Sequence, residues 1–127
     1  MNHAIAYYTS PAGGNRSVRS VEIEGKGWDL EATAQDGGVL NVEVKGLSGS
    51  QIVVELTPNE YAKMRSDRER YVIYILSSAL EKARMAHIFR FDAEQSTRTN
   101  LIWEADDGRT LAIEERVAAR LSADAPS

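Results

Sequence analysis

The sequence predicts one α/β or α+β domain in which a mixed β-sheet is flanked by helices. Its 127 residues, 43% of them hydrophobic and 27% charged, have the size and composition of an ordinary globular domain. Several short segments alternate between apolar and polar residues, as half-buried strands do, and one well-marked helix start lies between two of them. No glycine-rich turn joins a strand to a helix, so a Rossmann-type unit is not predicted.

The N-terminal segment predicts a short helical piece and then an irregular strand. Asn2 to Tyr8 has the composition of the last turns of a helix, which Pro11 and the pair Gly13-Gly14 would end. Apolar residues then recur through the segment from Val18 to Ile23, which predicts a strand with some irregularity.

A β-hairpin is predicted next. Trp28, Leu30 and Ala32 alternate with polar residues, as in a strand with one buried face. Asp36-Gly37-Gly38 has the residue types of a tight hairpin turn, and the returning strand is predicted from Val39 to Lys45.

Two acids and a lysine are predicted to meet near the open end of this hairpin. Asp29 heads the first strand, and Glu43 and Lys45, two residues apart on the second, share one face. Val42 and Val44 would point the other way, into a core. Carboxylates can hold a divalent cation that activates water beside a phosphate, which makes the chain nuclease-like. The blander interpretation is a surface ion pair, with Lys45 neutralising the acids.

The middle of the chain predicts strand, helix and buried strand. A strand is predicted over 51–56, and Thr57-Pro58-Asn59-Glu60 then has the pattern of a capping box with proline in the first helical position. We expect the helix to run to about Arg68. The apolar run from Tyr71 to Ser77 predicts a central strand buried on both faces.

The C-terminal part predicts a β-rich tail and a final helix. His87 to Phe91 has the composition of a strand, and the segments 101–103 and 111–113 flank the turn Asp106 to Gly108, which predicts a second hairpin. Glu114 to Leu121 is predicted to be a charged amphipathic helix whose Val117 and Leu121 face inward.

Composition also indicates where the chain works and what it contacts. The sequence has no cysteine, no apolar run long enough to span a bilayer and no signal-peptide pattern, which predicts a soluble, cytoplasmic protein. Its net charge of -4 argues mildly against strong non-specific nucleic-acid binding. A local basic cluster could still contact nucleic acid, and Lys63, Arg65 and Arg68 are the candidate substrate-binding residues. Taken alone, such a cluster is more often a solvated helix face.

The order of these elements resembles the PD-(D/E)XK superfamily of restriction-endonuclease-like proteins. Within it, the chain is most similar to the family named after the C-terminal domain of the plant protein NO VEIN. That family carries a Gly-aromatic-Asp step, here Gly27 to Asp29, and Glu-Val-Lys-Gly, here Glu43 to Gly46. It also carries Leu-Thr-x-Asn-Glu, here Leu56 to Glu60, followed by an apolar strand with tyrosines, here Tyr71 to Leu76. The resemblance covers roughly 7–91.

The resemblance implies a restriction-endonuclease-like core over about 7–91, with the hairpin and last helix at about 98–122 in the same single domain. Asp29 and Glu43 would ligate magnesium, or manganese as the alternative ion, and the main-chain carbonyl of Val44 would help. Lys45 would orient the attacking water or stabilise charge on the phosphate. Nucleic acid is the implied partner, and a homodimer or a larger ATPase- or helicase-type protein the implied assembly.

The chain departs from the superfamily pattern in two respects that bear on activity: it carries no long DNA-gripping arms, and it lacks one acid. Superfamily members commonly supply another acid from the helix before the first strand, and Met1 to Tyr8 contains none. Glu31 shares a face with Asp29 and could partly substitute for this missing acid, although simple solvent exposure is the blander interpretation. Two other functions therefore stay open: a catalytically inactive nuclease-fold module that binds nucleic acid or a partner protein, and an interaction domain that uses a sheet edge.

Overall fold

A computed structural model of the chain describes residues 1–82, 84–115 and 119–124. Short 3₁₀ turns cover Pro11–Gly13 and Glu22–Glu24. The helices and strands of the described residues have these bounds: α1 Asn2–Thr9, β1 Ser17–Ser20, β2 Leu30–Thr33, β3 Val39–Gly46, β4 Ile52–Leu56, α2 Pro58–Ser66, β5 Tyr71–Ser77, β6 Met85–Asp92, β7 Ile102–Glu104, β8 Ala112–Glu114 and β9 Ala119–Ala123.

Over the described residues the strands form two sheets. The large sheet has six strands in the order β1-β2-β3-β5-β6-β7, and the small sheet has three in the order β4-β9-β8. Every pairing is antiparallel except that of β3 with β5, which is parallel. A parallel pair needs a crossover connection, and β4 with α2 supplies it here. The predicted mixed sheet with helices is therefore confirmed as a mixed α+β fold.

The hairpin between β2 and β3 forms as its turn residues predict. Gly37 has φ of +91°, a conformation that glycine adopts without strain, and Ala34 N donates to the Gly38 carbonyl at 2.8 Å. The Asp36 side chain accepts from Gly38 N at 2.8 Å. Leu30 consequently lies opposite Val42, and this register fixes which side chains of the two strands are neighbours.

Helix α2 begins at the predicted capping box. The Thr57 hydroxyl accepts from Glu60 N at 3.2 Å, and Glu60 Oε1 accepts from Thr57 N at 2.8 Å. Pro58 occupies the first turn, where its missing N–H costs nothing. At the other end, Asn41 Nδ2 donates to Asp67 Oδ2 at 2.7 Å and fixes the helix to the start of β3.

Replacing Thr57 by alanine is expected to destabilise the protein by about 1 kcal/mol, because Glu60 N loses the side-chain oxygen that accepts its hydrogen bond at the start of α2. Urea unfolding with an unchanged m-value measures the loss. Ser66→Ala at the exposed end of the same helix is the control and should cost much less. Equal losses for the two variants would show that the cap does not set the helix start.

Both faces of the large sheet are covered. Helix α1 packs through Ala4 and Tyr8 against one face, where it meets Val42. Helix α2 and the small sheet cover the other face, where Met64 belongs to the same cluster as Ile73. Alternate residues of β3 therefore point into two different buried layers. None of the described helices is long and apolar enough to cross a membrane.

Two sequence-based expectations in the first and last parts of the chain are wrong. The strand expected from Val18 to Ile23 stops at Ser20, and a 3₁₀ turn leaves the Ile23 side chain 98% exposed. The helix expected from Glu114 to Leu121 is contradicted where the structure describes it, because Glu114 ends β8 and Ala119–Ala123 is β9. Leu121 is buried as expected, but as a strand residue opposite Val54. Val117, also expected to face inward, lies outside the described residues.

The second predicted hairpin is correct at its turn and wrong in its pairing. Ala105 N donates to the Arg109 carbonyl at 2.9 Å, so the chain reverses as expected. The flanking strands then separate, since β7 pairs with β6 in the large sheet and β8 pairs with β9 in the small one. A single bridge, Glu104 to Thr110, joins them directly. The β7–β8 connection therefore links the two sheets.

Candidate functional site

The β2–β3 register brings Asp29 to the predicted acid–lysine pair. Asp29 N donates to the Val42 carbonyl at 2.9 Å, which extends the hairpin one residue beyond β2. Its carboxylate Oδ2 accepts from Val44 N at 2.9 Å. The side chain is thus fixed against β3 beside Glu43, as the sequence predicts. Val44 contributes a backbone N–H to this contact, and in a strand its carbonyl points to the same edge.

Glu43 is a buried carboxylic acid. Its side chain is 2% exposed, and it lies on the β3 face that α2 covers, next to Ile73 of β5. Its Oε1 receives no hydrogen bond from any described group. Burial first, then the charge of Asp29 and a hydrogen bond shared with Glu60, raises the pKa of Glu43 to about 9. At neutral pH this carboxyl therefore holds a proton unless another cation replaces it.

Lys45 lies between two carboxylates. Its Nζ is 3.0 Å from Glu43 Oε2 and 3.3 Å from Glu60 Oε1. Burial alone would lower the pKa of Lys45, but the two acids outweigh it and the pKa is raised. The lysine is consequently a fixed positive charge on the same face as Glu43.

Glu60 is a site residue that sequence reasoning assigned chiefly to capping. The cap is confirmed, and the same oxygen, Oε1, also contacts Lys45. Burial would raise the pKa of Glu60, yet hydrogen bonds from Thr57 N and Lys45, together with the contact to Glu43, lower it overall. Glu60 therefore stays ionised and anchors Lys45. The sequence could have indicated this second contact, because Glu60 is the third residue of the helix that follows β3 and β4.

The loop before Asp29 is fixed on the first turns of α2. The Tyr71 hydroxyl donates to the Gly27 carbonyl at 2.7 Å, and Asn59 Nδ2 donates to the Gly25 carbonyl at 3.2 Å. Gly27 has φ of +93°, and a Cβ there would lie 2.7 Å from Lys63 Cγ. Glycine is required at this close approach, and the Gly-Trp-Asp step thereby determines where Asp29 is placed.

Glu31, the acid that could have supplemented Asp29, has other partners. Its Oε2 accepts from Trp28 Nε1 at 3.1 Å and from Lys26 Nζ at 3.2 Å, while Oε1 accepts from Arg19 at 3.0 Å. Burial would raise the pKa of Glu31, but these hydrogen bonds lower it. Both oxygens are therefore engaged at the outer side of the hairpin.

The three predicted substrate-binding cations, Lys63 and Arg65 of α2 and Arg68 just after it, are not together. Lys63 lies against the Gly27 loop, on the side of the candidate site. Arg65 donates to Glu115 Oε1 at 3.0 Å, and the Arg68 guanidinium lies 5.4 Å from the centre of the Phe91 ring. Only Lys63 is thus positioned beside the loop that carries Asp29.

The donor set suits a hard divalent cation only in part. Among the residues that the structure describes, no group of three or more acidic or histidine side chains could hold a metal ion. Asp29 and Glu43 form a pair of carboxylates, and Glu43 Oε1 has an unused buried lone pair. Magnesium often keeps several waters and takes only one or two carboxylates, so this pair fits it if water or substrate phosphate completes the shell.

A family model described as "Protein NO VEIN, C-terminal" matches residues 1–89 of the chain. Comparison with curated proteins and with solved structures returned no match. The matched segment contains both helices described here, strands β1 to β5 and most of β6, and therefore all the residues of the candidate site. Since the match spans well over half of the chain, the chain belongs to the family of the C-terminal domain of protein NO VEIN.

Proposed function

We propose that the chain is a magnesium-dependent nuclease of the PD-(D/E)XK type, hydrolysing phosphodiester bonds of DNA or RNA. The observation that carries the proposal is the Glu43 carboxyl, buried beside Asp29 with one oxygen that receives no hydrogen bond. The hairpin that presents Asp29, and the parallel β3–β5 pair behind it, support a restriction-endonuclease-like core.

A buried carboxylate needs a compensating positive charge. Removing an ion from water costs several kcal/mol unless the ion is paired and hydrogen-bonded. This cost is comparable with the whole free energy of unfolding of a typical domain. Lys45 reaches only Oε2 of Glu43, and the raised pKa of Glu43 shows that this contact does not compensate in full. A divalent cation held by Glu43 and Asp29 would replace the proton and remove the repulsion between the two acids.

The chain's own residues have separable roles in this proposal. Asp29 and Glu43 would hold the ion, with the Val44 carbonyl on the same strand edge as a further oxygen. The bound ion would lower the pKa of water and neutralise charge on the phosphate. Lys45, fixed by Glu60, donates hydrogen bonds from a permanent positive charge to the attacking water or to a phosphate oxygen.

A catalytically inactive module of the same fold is the second candidate. One observation favours it: Lys45 is already paired with both Glu43 and Glu60, as in a structural ion-pair network. Such a network requires no metal, and its charges hold α2 on β3. The two candidates differ in whether divalent cations bind at Asp29.

Calorimetric titration of magnesium and manganese at low ionic strength tests the proposal. Asp29→Asn keeps an oxygen for Val44 N but loses the negative charge, so we expect metal affinity to fall at least about tenfold, a loss of roughly 1.4 kcal/mol. Asp36→Asn in the hairpin turn removes the same charge and should bind like the wild type. The titrations are run with and without a phosphorothioate oligonucleotide, which can complete the shell without being cleaved.

If the heat of metal binding is the same in Asp29→Asn as in the wild type, the ion binds elsewhere and this site is refuted. No binding to the wild type, with or without the oligonucleotide, would favour the inactive module. Proton release on binding is a further readout, because the ion must displace the proton of Glu43 below about pH 9.

A further inference from the structure

A groove lies beside α2, between that helix, the loop 98–101 and strand β8. Its volume is about 520 Å³, within the range of about 300–1,000 Å³ that small-ligand sites occupy. One wall is formed by Tyr61 and Arg65 of α2. The opposite wall comes from residues 98–115, which follow the segment that the family match covers. The family match therefore covers only one wall of the groove.

One end of the groove is an anion site that a side chain of the protein itself occupies. Glu115 Oε1 accepts from the Tyr61 hydroxyl at 2.5 Å and from Arg65 Nη1 at 3.0 Å. The Arg65 and Glu115 side chains are 53% and 62% exposed, so their pairing is weak and open to exchange. A phosphate oxygen could take the place of the carboxylate and keep both donors.

The same groove has a second cation and an apolar surface. Arg98 lines it, is exposed, and forms no ion pair with any other described residue. Leu111 and Trp103 form a buried floor, and the half-buried Tyr61 ring forms part of one wall. The groove thus combines two cations with an aromatic ring, and the Arg65 guanidinium lies 5.6 Å from the centre of the Tyr61 ring. This combination matches a nucleotide, whose base stacks on an aromatic or guanidinium plane while its phosphate pairs with arginine.

We propose that this groove binds one unstacked nucleotide of a single-stranded nucleic acid, with phosphate on Arg65 and Arg98 and the base against Tyr61. The identity of the ligand rests on the proposed nuclease function. Glu60 and Tyr61 are adjacent in α2, the first facing Lys45 and the second the groove. A strand that crosses the start of α2 would therefore pass from the groove to the candidate site. Glu115 competes with the phosphate for Arg65 and limits affinity.

Fluorescence anisotropy of a labelled oligothymidine of about ten nucleotides, in EDTA and low salt, tests the proposal without metal or cleavage. Arg98→Ala should weaken binding about fivefold or more and reduce the slope of log K against log salt by about 0.7. Glu115→Gln should tighten binding severalfold, because it frees Arg65 while keeping an acceptor for Tyr61. Arg19→Ala, on β1 at the far edge of the large sheet, removes the same charge and should change binding less than about twofold.

A tighter complex with Glu115→Gln but not with Asp36→Asn, which removes the same charge from the exposed β2–β3 turn, is the result that a merely structural Arg65–Glu115 pair would not give. Equal weakening by Arg98→Ala and Arg19→Ala would show general charge attraction and overturn the proposal. So would an unchanged affinity for Glu115→Gln, or binding of a poly-glutamate peptide in place of the oligonucleotide. Each altered side chain is exposed, and thermal melting confirms that the variants fold. Loss of this binding leaves the oligonucleotide-free metal titration at Asp29 unaffected, so the two proposals fail separately.

Discussion

Replacing Lys45 by methionine is expected to lower phosphodiester cleavage at least about a hundredfold, a loss of roughly 3 kcal/mol of transition-state stabilisation. Methionine keeps an unbranched apolar stem in the half-buried position but removes the charge that lies between Glu43 and Glu60. Magnesium affinity should be equal or higher, because a cation that competes for Glu43 is gone. Single-turnover cleavage of labelled DNA and RNA, together with calorimetry of the same preparation, measures both quantities.

Lys26→Met is the matched control for Lys45→Met. Lys26 pairs with Glu24 and Glu31 on the outer side of the hairpin, so cleavage should stay within about twofold of wild type. Wild-type cleavage by Lys45→Met would remove Lys45 from the mechanism. Loss of metal binding and of folding together in that variant would indicate that Lys45 is the centre of a structural ion-pair network.

The parts of the fold that the sequence predicts correctly depend on local chemistry. The turn at Asp36 to Gly38 and the capping box from Thr57 to Glu60 each satisfy their hydrogen bonds within a few residues. The strand Tyr71–Ser77 is predicted by its composition, since a strand buried on both faces is apolar throughout. These features need no knowledge of distant parts of the chain.

The sequence-based predictions fail where pairing with a strand that is distant in the sequence decides the structure. Ala119–Ala123 has an amphipathic pattern that suits a helix, but pairing with β4, more than sixty residues earlier, makes it a strand. Similarly, β7 and β8 leave their shared turn for different sheets because β6 and β9 offer longer pairings than the turn itself. Local patterns carry no information about such partners.

The candidate site divides in the same way. The approach of Asp29 to Glu43 follows from hairpin register and is predictable. The burial of Glu43 is not, because its position on the polar face of β3 suggests exposure, whereas α2 covers that face. The contact of Glu60 with Lys45 could not be predicted for another reason. One oxygen of Glu60 accepts from both Thr57 N and Lys45, and the capping motif alone already explains why a glutamate is present.

Replacing Glu43 by glutamine is expected to stabilise the metal-free protein, and increasingly so as pH rises. The pKa of Glu43 is raised from 4.5 to about 9, so the folded state binds a proton that the unfolded chain releases. The stability that this proton contributes is complete below about pH 4.5 and is lost as pH rises through about 9, by at most about 1.4 kcal/mol per pH unit. Glutamine does not titrate, so at pH 8 the variant should be more stable by up to about 5 kcal/mol, and near pH 4.5 by little.

Urea unfolding at several pH values in EDTA measures the difference in free energy of unfolding between the two proteins. In excess magnesium the sign of this difference is expected to reverse. Magnesium should raise the free energy of unfolding of the wild type by replacing the proton, while the glutamine variant, which has lost a ligand, gains less. Glu55→Gln, at an exposed position of β4, is the matched control and should follow the wild type throughout. A Glu43→Gln variant less stable than wild type at pH 8 would instead mean that Glu43 is ionised and paired with Lys45. The proton would then be absent, and with it the reason to expect a divalent cation in its place.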